Sequence, residues 1–248
     1  MPTFRHGKNT VVLFSKFDLS EYFNSATTSA MAEAVETTTF GSLNKTYAVG
    51  LKDGTVSFEG LWSGVLDTEG SDKVLHDAVT SEAKTAITVA TEGATIGRRC
   101  KLINADETSY EITAAVADMV SISAQAQASG IQGGIDGGVL LAAKQTATTT
   151  ATNASVDNTT GSTNGGVGHL HVTANTRNGA ATIKIQHSAN NSTWADLIVF
   201  TATTASTTTS ERIEVAAGTS VNRYVRANIS ALAGSTGSVT ITVGFARR

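Results

Sequence analysis

Apolar and polar residues alternate along most of the chain with a period of two, which is the pattern of half-buried β-strands. In the first half, this alternation predicts strands over residues 10–16, 55–61, 85–89, 98–104 and 111–125, the last bent near Asp118. In the second half, it predicts strands over residues 169–175, 182–187, 197–201, 211–215, 224–229 and 238–245. Turns rich in Gly, Asn and Ser separate these strands, and such regular spacing is typical of an antiparallel β-sandwich.

One segment, residues 71–84 (SDKVLHDAVTSEAK), departs from the period-two pattern. Its apolar residues form a single helical stripe, and Ser71 or Asp72 is suited to cap the first turn. We therefore predict one short α-helix there. Residues 26–36 stay ambiguous, because their alanines fit either a helix or a strand.

The organisation changes in the middle of the chain. Residues 146–164 are rich in Thr, Ser, Asn and Gly and have almost no large apolar side chains, as in a flexible linker. The prediction is an all-β protein with one short helix. A domain over residues 1–145 precedes the linker, and an antiparallel β-sandwich over residues 165–248 follows it.

Composition supports strands and limits the possible partners. Threonine, alanine and glycine are abundant, whereas charged residues are only 16% and aromatic residues only 6%. A formal charge of −3 without a basic stripe argues against binding of bulk DNA or of an acidic membrane. Cys100 is the single cysteine, which excludes an intramolecular disulfide. We see no signal peptide and no apolar run long enough for membrane insertion, and we expect synthesis in the cytoplasm.

Motifs for catalysis are weak. GLWSG (residues 60–64) places its serine one position too late for a nucleophile elbow, and the glycine-rich residues 130–138 fit a loop or hairpin best. His169 and His171 share a strand face on which two imidazoles could bind one metal ion. No third ligand has a diagnostic spacing, although His187 could lie on a neighbouring strand, and we expect the pair to face solvent. We expect the acidic residues to lie in solvent-exposed turns, namely Asp67, Glu69, Asp72, Asp106 and Glu107. We expect Trp194 to pack in the core of the C-terminal sandwich. We expect no enzyme activity, no catalytic residue, no metal and no cofactor.

Residues 37–64 (TTTFGSLNKTYAVGLKDGTVSFEGLWSG) carry the most specific signal in the chain. The stretch resembles a signature of major tail tube proteins from long-tailed, non-contractile bacteriophages, the siphophage tail tube family. The matching positions are Phe40, Gly41, Lys45, Thr46, Tyr47, residues 50–53, Ser57, Gly60 and Leu61. Upstream, Asp18, Leu19, Ser20 and Tyr22 fit the same pattern, and residues 165–248 are similar to a sandwich often fused behind such a domain.

This resemblance implies a viral structural protein of the virion tail, made in the cytoplasm of a host bacterium. Family members form hexameric rings that stack around a lumen, through which genomic DNA passes during ejection without specific binding. The implied partners are further copies of this chain and the tail tip, tape measure and terminator proteins. The implied inter-subunit or inter-ring contacts are Phe40, Gly41, Lys45, Tyr47, Gly50, Leu51 and Asp53. The lumen-lining residues are not specified by the resemblance.

Two other functions fit the sequence less well. One is a head-decoration or tail-adhesin protein that binds carbohydrate through the C-terminal sandwich, for which the low aromatic content is unfavourable. The other is a glycan-degrading or metal enzyme based on His169, His171 and the acid groups, for which the catalytic motifs are missing.

Overall fold

The structure is a computed structural model that describes residues 6–64, 70–81, 83–130 and 134–248. The described residues form sixteen β-strands and one α-helix, α1 (Ser71–Val79). The strands up to the helix are β1 (Val11–Phe14), β2 (Phe17–Asp18), β3 (Phe23–Glu36) and β4 (Tyr47–Leu61). Those up to residue 157 are β5 (Thr85–Ala90), β6 (Arg99–Thr113), β7 (Ser121–Ala128), β8 (Ile135–Ala147), β9 (Ala151–Thr152) and β10 (Val156–Asp157). The remaining strands are β11 (Gly166–Asn175), β12 (Ala181–Ser188), β13 (Ala195–Val199), β14 (Thr209–Val215), β15 (Tyr224–Leu232) and β16 (Val239–Arg247).

The chain folds into two compact units. Unit 1 contains residues 1–22, 85–103 and 136–248, and unit 2 contains residues 23–84 and 104–135. The protein is all-β apart from α1, and its paired strands are antiparallel, as the alternation predicted. Ala151–Thr152 and Val156–Asp157, within the segment predicted as a linker, pair with β15.

Unit 1 contains a β-sandwich. One layer includes β14, β11 and β16, and the other is formed by β10, β15, β12 and β13. The core between the layers consists of buried aliphatic residues and two phenylalanines, including Leu170, Val172, Ile183, Ile185, Phe200, Ile229, Ile241 and Phe245. A second core lies against the opposite face of β11 and contains Val167, Cys100, Leu102 and Leu140. β11 is therefore buried on both faces.

Unit 2 is built on two long strands. β3 and β4 pair from Phe23 opposite Gly60 to Glu36 opposite Tyr47, β7 pairs with the other edge of β4, and β6 pairs with β7. Residues 26–36, which the sequence left ambiguous, are therefore strand, and the cross-strand ladder with β4 decides their conformation. The strand predicted over residues 111–125 with a bend near Asp118 is two strands in the structure. β6 ends at Thr113 and β7 begins at Ser121, and the turn between them contains Asp118.

The helix begins at Ser71 as predicted but ends at Val79 instead of Lys84. Its N-cap is Gly70, which has no side chain to cap the first turn, and the buried Ser71 hydroxyl instead accepts from Ser63 N at 3.0 Å. The Thr80 hydroxyl donates to the carbonyls of His76 and Asp77. These side-chain hydrogen bonds compete with the backbone hydrogen bonds of the last turn, where the helix ends. No helix of the described residues has the length and apolarity to cross a membrane.

Candidate assembly surface

The outer end of the β3–β4 hairpin is exposed on both faces. We call residues 35–51 the hairpin tip. It carries exposed apolar side chains that cover no core of their own, namely Val35, Phe40, Leu43, Tyr47, Val49 and Leu51. Soluble proteins rarely leave so many large apolar groups close together in water without a binding role.

The hairpin tip has a defined backbone. Gly41 has φ = 90°, in the left-handed region that a side chain would strain. Thr37 N donates to Thr46 O at 2.8 Å, and Thr46 N donates to the Thr38 hydroxyl at 3.1 Å. Lys45 Nζ lies 3.0 Å from Glu36 Oε2. These contacts hold the turn closed, so its apolar side chains are presented on an ordered support.

The predicted contact residues fall on this hairpin in two groups. Phe40, Gly41, Lys45, Tyr47 and Leu51 lie on the tip and are exposed, and Gly50 is half-buried there. Asp53 lies just below the tip and has an internal role, because its carboxylate accepts from Gly54 N at 2.7 Å and from the Gln127 amide.

β3 is an open edge of the unit 2 sheet within the described part of the chain, because it pairs only with β4. On the other side of β4, β7 pairs in turn with residues 105–113 of β6. The open edge of β3 presents backbone N–H and C=O groups that can pair with another strand. Isolated soluble proteins normally shorten, charge or cover such edges. A 14-residue edge strand such as β3 is therefore a natural site for pairing with another chain.

The two faces of this sheet differ in chemistry. One face buries Val56, Phe58, Ile122, Ala124 and Ala126, and Phe23 stacks on Phe58 with ring centroids 4.9 Å apart. The Tyr110 hydroxyl donates to Asp72 Oδ1 at 2.5 Å, which joins α1 to β6 on that face, where Tyr110 lies opposite Ala124. We call the opposite face the polar face. Its residues in register are Ser25, Thr27, Ser29, Thr55, Ser57, Glu59, Asp106, Ser109, Glu111, Ser123, Gln125 and Gln127.

The polar face is acidic. Among its residues in register, Glu59 and Glu111 flank Ser123 on neighbouring strands, and Asp106 lies opposite Gln127. None of these register positions is a lysine or an arginine. Lys84, which lies outside the sheet, approaches Asp106 at 3.6 Å.

Glu107 was expected at a turn in water, and this prediction is wrong. It lies in β6, and both of its carboxylate oxygens are buried without a hydrogen-bond partner among the described residues. Burial raises the pKa of Glu107 to about 8, so the carboxyl is neutral at pH 7. Asp106 remains half-buried, and Asp67 and Glu69 lie outside the described residues.

Replacing Glu107 with Gln is expected to flatten the pH dependence of stability between about pH 4.5 and 8. The folded state holds the Glu107 proton at higher pH than the unfolded state does. The contribution of the protonated Glu107 carboxyl to the free energy of unfolding is therefore complete below pH 4.5. It is lost as the pH rises through 8, by at most about 1.4 kcal/mol per pH unit. Urea unfolding at several pH values measures this slope. Glu111→Gln, on the polar face, is the control, and an unchanged slope in Glu107→Gln would contradict the assignment.

His169 and His171 also differ from the prediction, because both are completely buried instead of facing solvent. His171 Nδ1 donates to Ser15 O at 2.6 Å, so its Nε2 accepts from the Thr88 hydroxyl at 2.7 Å. The same Thr88 oxygen then accepts from His169 Nδ1 at 3.2 Å. These donor and acceptor roles apply to neutral rings, the state that burial favours by lowering the pKa of both histidines. The sequence of β11 places both histidines beside apolar residues, but it does not show that other elements cover both faces of the strand.

The histidines do not form a metal site with His187. His187 lies on β12, in the other layer, where its Nδ1 accepts from Asn222 N at 3.1 Å. The described residues contain no group of three or more potential metal ligands.

Trp194 was expected in the core, but it is absent from the buried core cluster. It is half-buried beneath the Arg226 guanidinium, whose Cζ lies 3.9 Å from the centroid of the Trp194 ring.

Comparison with known proteins gives matches only at the level of structure. No protein-family model and no curated protein matches the sequence. The chain is similar to the tail of an empty gene transfer agent particle with C6 symmetry, at 14% identity over 51% of this chain and 95% of that one, with a TM-score of 0.40. It is similar to the SPP1 tail tube at 13% identity over 50% of this chain and 76% of that one, again with a TM-score of 0.40.

A further similarity extends over most of the chain. The SPP1 Dit protein, a hub of the adsorption apparatus in phages that infect Gram-positive bacteria, matches at 11% identity over 95% of this chain and 98% of that one. The TM-score is 0.34. The chain is thus similar to siphophage-type tail tube and hub structures at low TM-score.

Proposed function

We propose that this protein is a structural subunit of a phage tail tube. Six copies form a ring, and rings stack around a lumen that conducts DNA during ejection. The observation that carries the proposal is the long edge strand β3 of unit 2, which pairs only with β4 in the described structure and leaves its other side open. The sequence signature in residues 37–64 lies on the same sheet.

Edge-to-edge pairing gives the open side of β3 a partner. When β3 of one copy pairs with β6 of the next, each contact removes one edge of each partner, and a closed ring leaves none. A head-to-tail contact between identical chains produces a closed ring when the rotation between neighbours closes. The number six comes from the resemblance to tail tube proteins.

In a closed ring, the polar face lines the lumen and the covered face points away from it. Glu59, Asp106 and Glu111 then give the lumen negative charge. Such a surface repels DNA phosphates and releases no counterions on contact, so DNA passes without binding. The serine, threonine and glutamine residues between the acids keep the wall hydrated without adding positive charge.

The hairpin tip provides contact between rings through Phe40, Gly41, Lys45, Tyr47, Gly50 and Leu51, with Asp53 fixing its base on β7. Residues 165–248 form the outward-facing part of the subunit, and the tail tip, tape measure and terminator proteins are the other partners. The protein has no enzymatic role in this assembly.

Native mass spectrometry of the purified protein tests the stoichiometry. Six copies of the 25.5 kDa chain give 153 kDa, and we expect this species or its multiples as concentration rises. A stable trimer of 76.5 kDa with no larger species would contradict the proposal and favour a head-decoration or adhesin protein instead.

A further inference from the structure

We propose that a cleft in unit 1 binds a phosphate group. We call it the basic cleft, and its lining includes Gly97, Arg99, Gly137, Asn158 and Arg247. Its volume is about 260 Å³, whereas one water molecule occupies about 30 Å³ in the liquid, so the cleft has room for a group of several heavy atoms. The proposal concerns unit 1 alone and does not depend on ring formation.

Two glycines keep the basic cleft open. One wall of the cleft comes from β6, β8 and β16, and the other comes from β10 and β15. At Gly137 on β8, a Cβ atom would meet only Lys101 Nζ, at 3.7 Å, and at Gly97 it would meet only Val156, at 3.9 Å. Because neither position carries a side chain, the space between the two walls stays accessible.

Two cations on β6 lie at this space without a counterion. Arg99 and Lys101 are exposed and alternate with Cys100 and Leu102, which are buried in the second core of unit 1. The preceding residue, Arg98, pairs with Glu92 at 3.4 Å, whereas Arg99 and Lys101 have no ion-pair partner in the part of the chain that the structure describes. Their positive charge is therefore available to a ligand.

Arg247 adds a third cation, which is held in a fixed position. Its guanidinium donates to the carbonyls of Val221, Asn222 and Arg223. These neutral acceptors fix its orientation and do not cancel its charge, and no carboxylate pairs with it among the described residues. Burial lowers the pKa of Arg247, as expected for a partly desolvated cation without a counterion.

The carboxylates closest to the cleft are already neutralised. Asp157, which lines the opposite wall, accepts from Arg223 Nε at 2.7 Å and from Arg223 Nη2 at 2.6 Å. Asp136, next to Gly137, pairs with Arg248 at 3.0 Å and with Arg212 at 3.5 Å. The cleft thus has an excess of positive charge in a chain whose formal net charge is −3.

This donor set fits a phosphate group better than a carboxylate. Guanidinium groups match the geometry of phosphate oxygens, and an ammonium group such as that of Lys101 binds phosphate as a point charge. A phosphate ester carries a charge of about −1.5 to −2 near pH 7, which balances the three cations more closely than the single charge of a carboxylate. The Asn158 amide on the opposite wall can donate a further hydrogen bond.

Isothermal titration calorimetry of the full-length protein tests the site, with inorganic phosphate and glycerol phosphate titrated separately at constant ionic strength. We expect Arg99→Gln/Lys101→Gln to weaken binding at least tenfold. Arg98→Gln/Lys73→Gln is the matched control, because it removes the same two charges from exposed ion pairs outside the cleft. Its affinity should stay within twofold of the parent.

Both probes present the same phosphate chemistry, and their comparison distinguishes the source. Tighter binding of glycerol phosphate would assign the cleft to a phosphate ester, and tighter binding of inorganic phosphate would assign it to the free ion. Binding of neither probe, equal losses in the two double variants, or acetate binding as tightly as phosphate would each overturn the inference.

Gly137→Val separates the cleft from a general attraction between charges. The variant keeps every cation, and Gly137 lies in β8 without a positive φ, so a β-branched residue fits the backbone there. We expect it to weaken binding at least tenfold while the melting temperature stays within a few degrees of the parent. Unchanged affinity in this folded variant would overturn the inference. Neither result affects the proposed assembly, which native mass spectrometry tests independently.

Discussion

Lowering the pH from 7 to 4 is expected to destabilise unit 1 by about 3 kcal/mol through His171, and His169 acts in the same direction. Burial lowers the pKa of His169 well below its ordinary value, with His171 and Arg212 adding repulsion. Burial also lowers the pKa of His171 to about 4, despite its hydrogen bond to Ser15 and the nearby Asp18 carboxylate. An effect of this size is a large fraction of the stability of a typical domain.

The direction follows from where the protons bind. The unfolded chain takes up protons at the ordinary histidine pKa near 6.5, whereas the folded chain does so only at much lower pH. The stability from the neutral pair is therefore complete above pH 6.5 and is lost as the pH falls towards 4. Protonation of His171 also reverses the hydrogen-bond chain, since its charged Nε2–H can only donate to the Thr88 oxygen.

Urea unfolding at pH 7, 6, 5 and 4 measures the effect, in a Glu107→Gln background because Glu107 has the opposite slope. The variant His169→Asn/His171→Asn should be less stable at pH 7 but should lose most of the slope below pH 6.5. His76→Gln, exposed on α1, is the matched control and should keep the slope. An equal slope in the double variant and the parent would show that other groups cause the acid response.

A proline on the open side of β3 is expected to abolish ring formation without unfolding the protein. Thr27 and Thr28 lie in a regular stretch of the β3–β4 ladder, opposite Ser57 and Val56. Successive N–H groups along a strand point to opposite sides, so one of the two points to β4 and the other to the open edge. Proline removes the N–H group in either case.

The two single variants, Thr27→Pro and Thr28→Pro, serve as controls for each other. The variant that removes the ladder bond to β4 should be destabilised, by roughly 3 kcal/mol. The other should keep a melting temperature within a few degrees of the parent, yet it should stay monomeric in light scattering. If the stable variant still formed rings, pairing through β3 would be contradicted.

The strands were predictable where one face is covered and the other is wet. Val56 and Phe58 alternate with Thr55, Ser57 and Glu59, and this alternation is the β4 pattern that the structure shows. The turn between β6 and β7 was missed because Ala114, Ala115 and Val116 extend the apolar pattern without a glycine or proline. The helix start was found from its apolar stripe, but its end depends on the Thr80 hydroxyl and was not predictable from periodicity.

The burial of polar side chains depends on strands that are distant in sequence, and it could not be predicted from the sequence. His169 and His171 are buried because Thr88 and Ser15, more than eighty residues away, supply their hydrogen-bond partners. Glu107 lies next to Asp106 in sequence, and only the fold distinguishes the buried carboxyl from the half-buried one. The candidate assembly surface was partly predictable, since residues 37–64 marked the hairpin, whereas the open edge of β3 appears only once the strand order is known.

A cryo-electron microscopy map of assembled protein tests most directly whether unit 2 closes a tube. The predicted result is a six-fold ring with a continuous β-barrel, in which β3 of each subunit pairs with β6 of its neighbour. Glu59 and Glu111 should face the lumen, and the hairpin tips should cross to the next ring. Rings closed through unit 1, with the edges of β3 and β6 left open, would contradict this assembly, as would a protein that stays monomeric at high concentration.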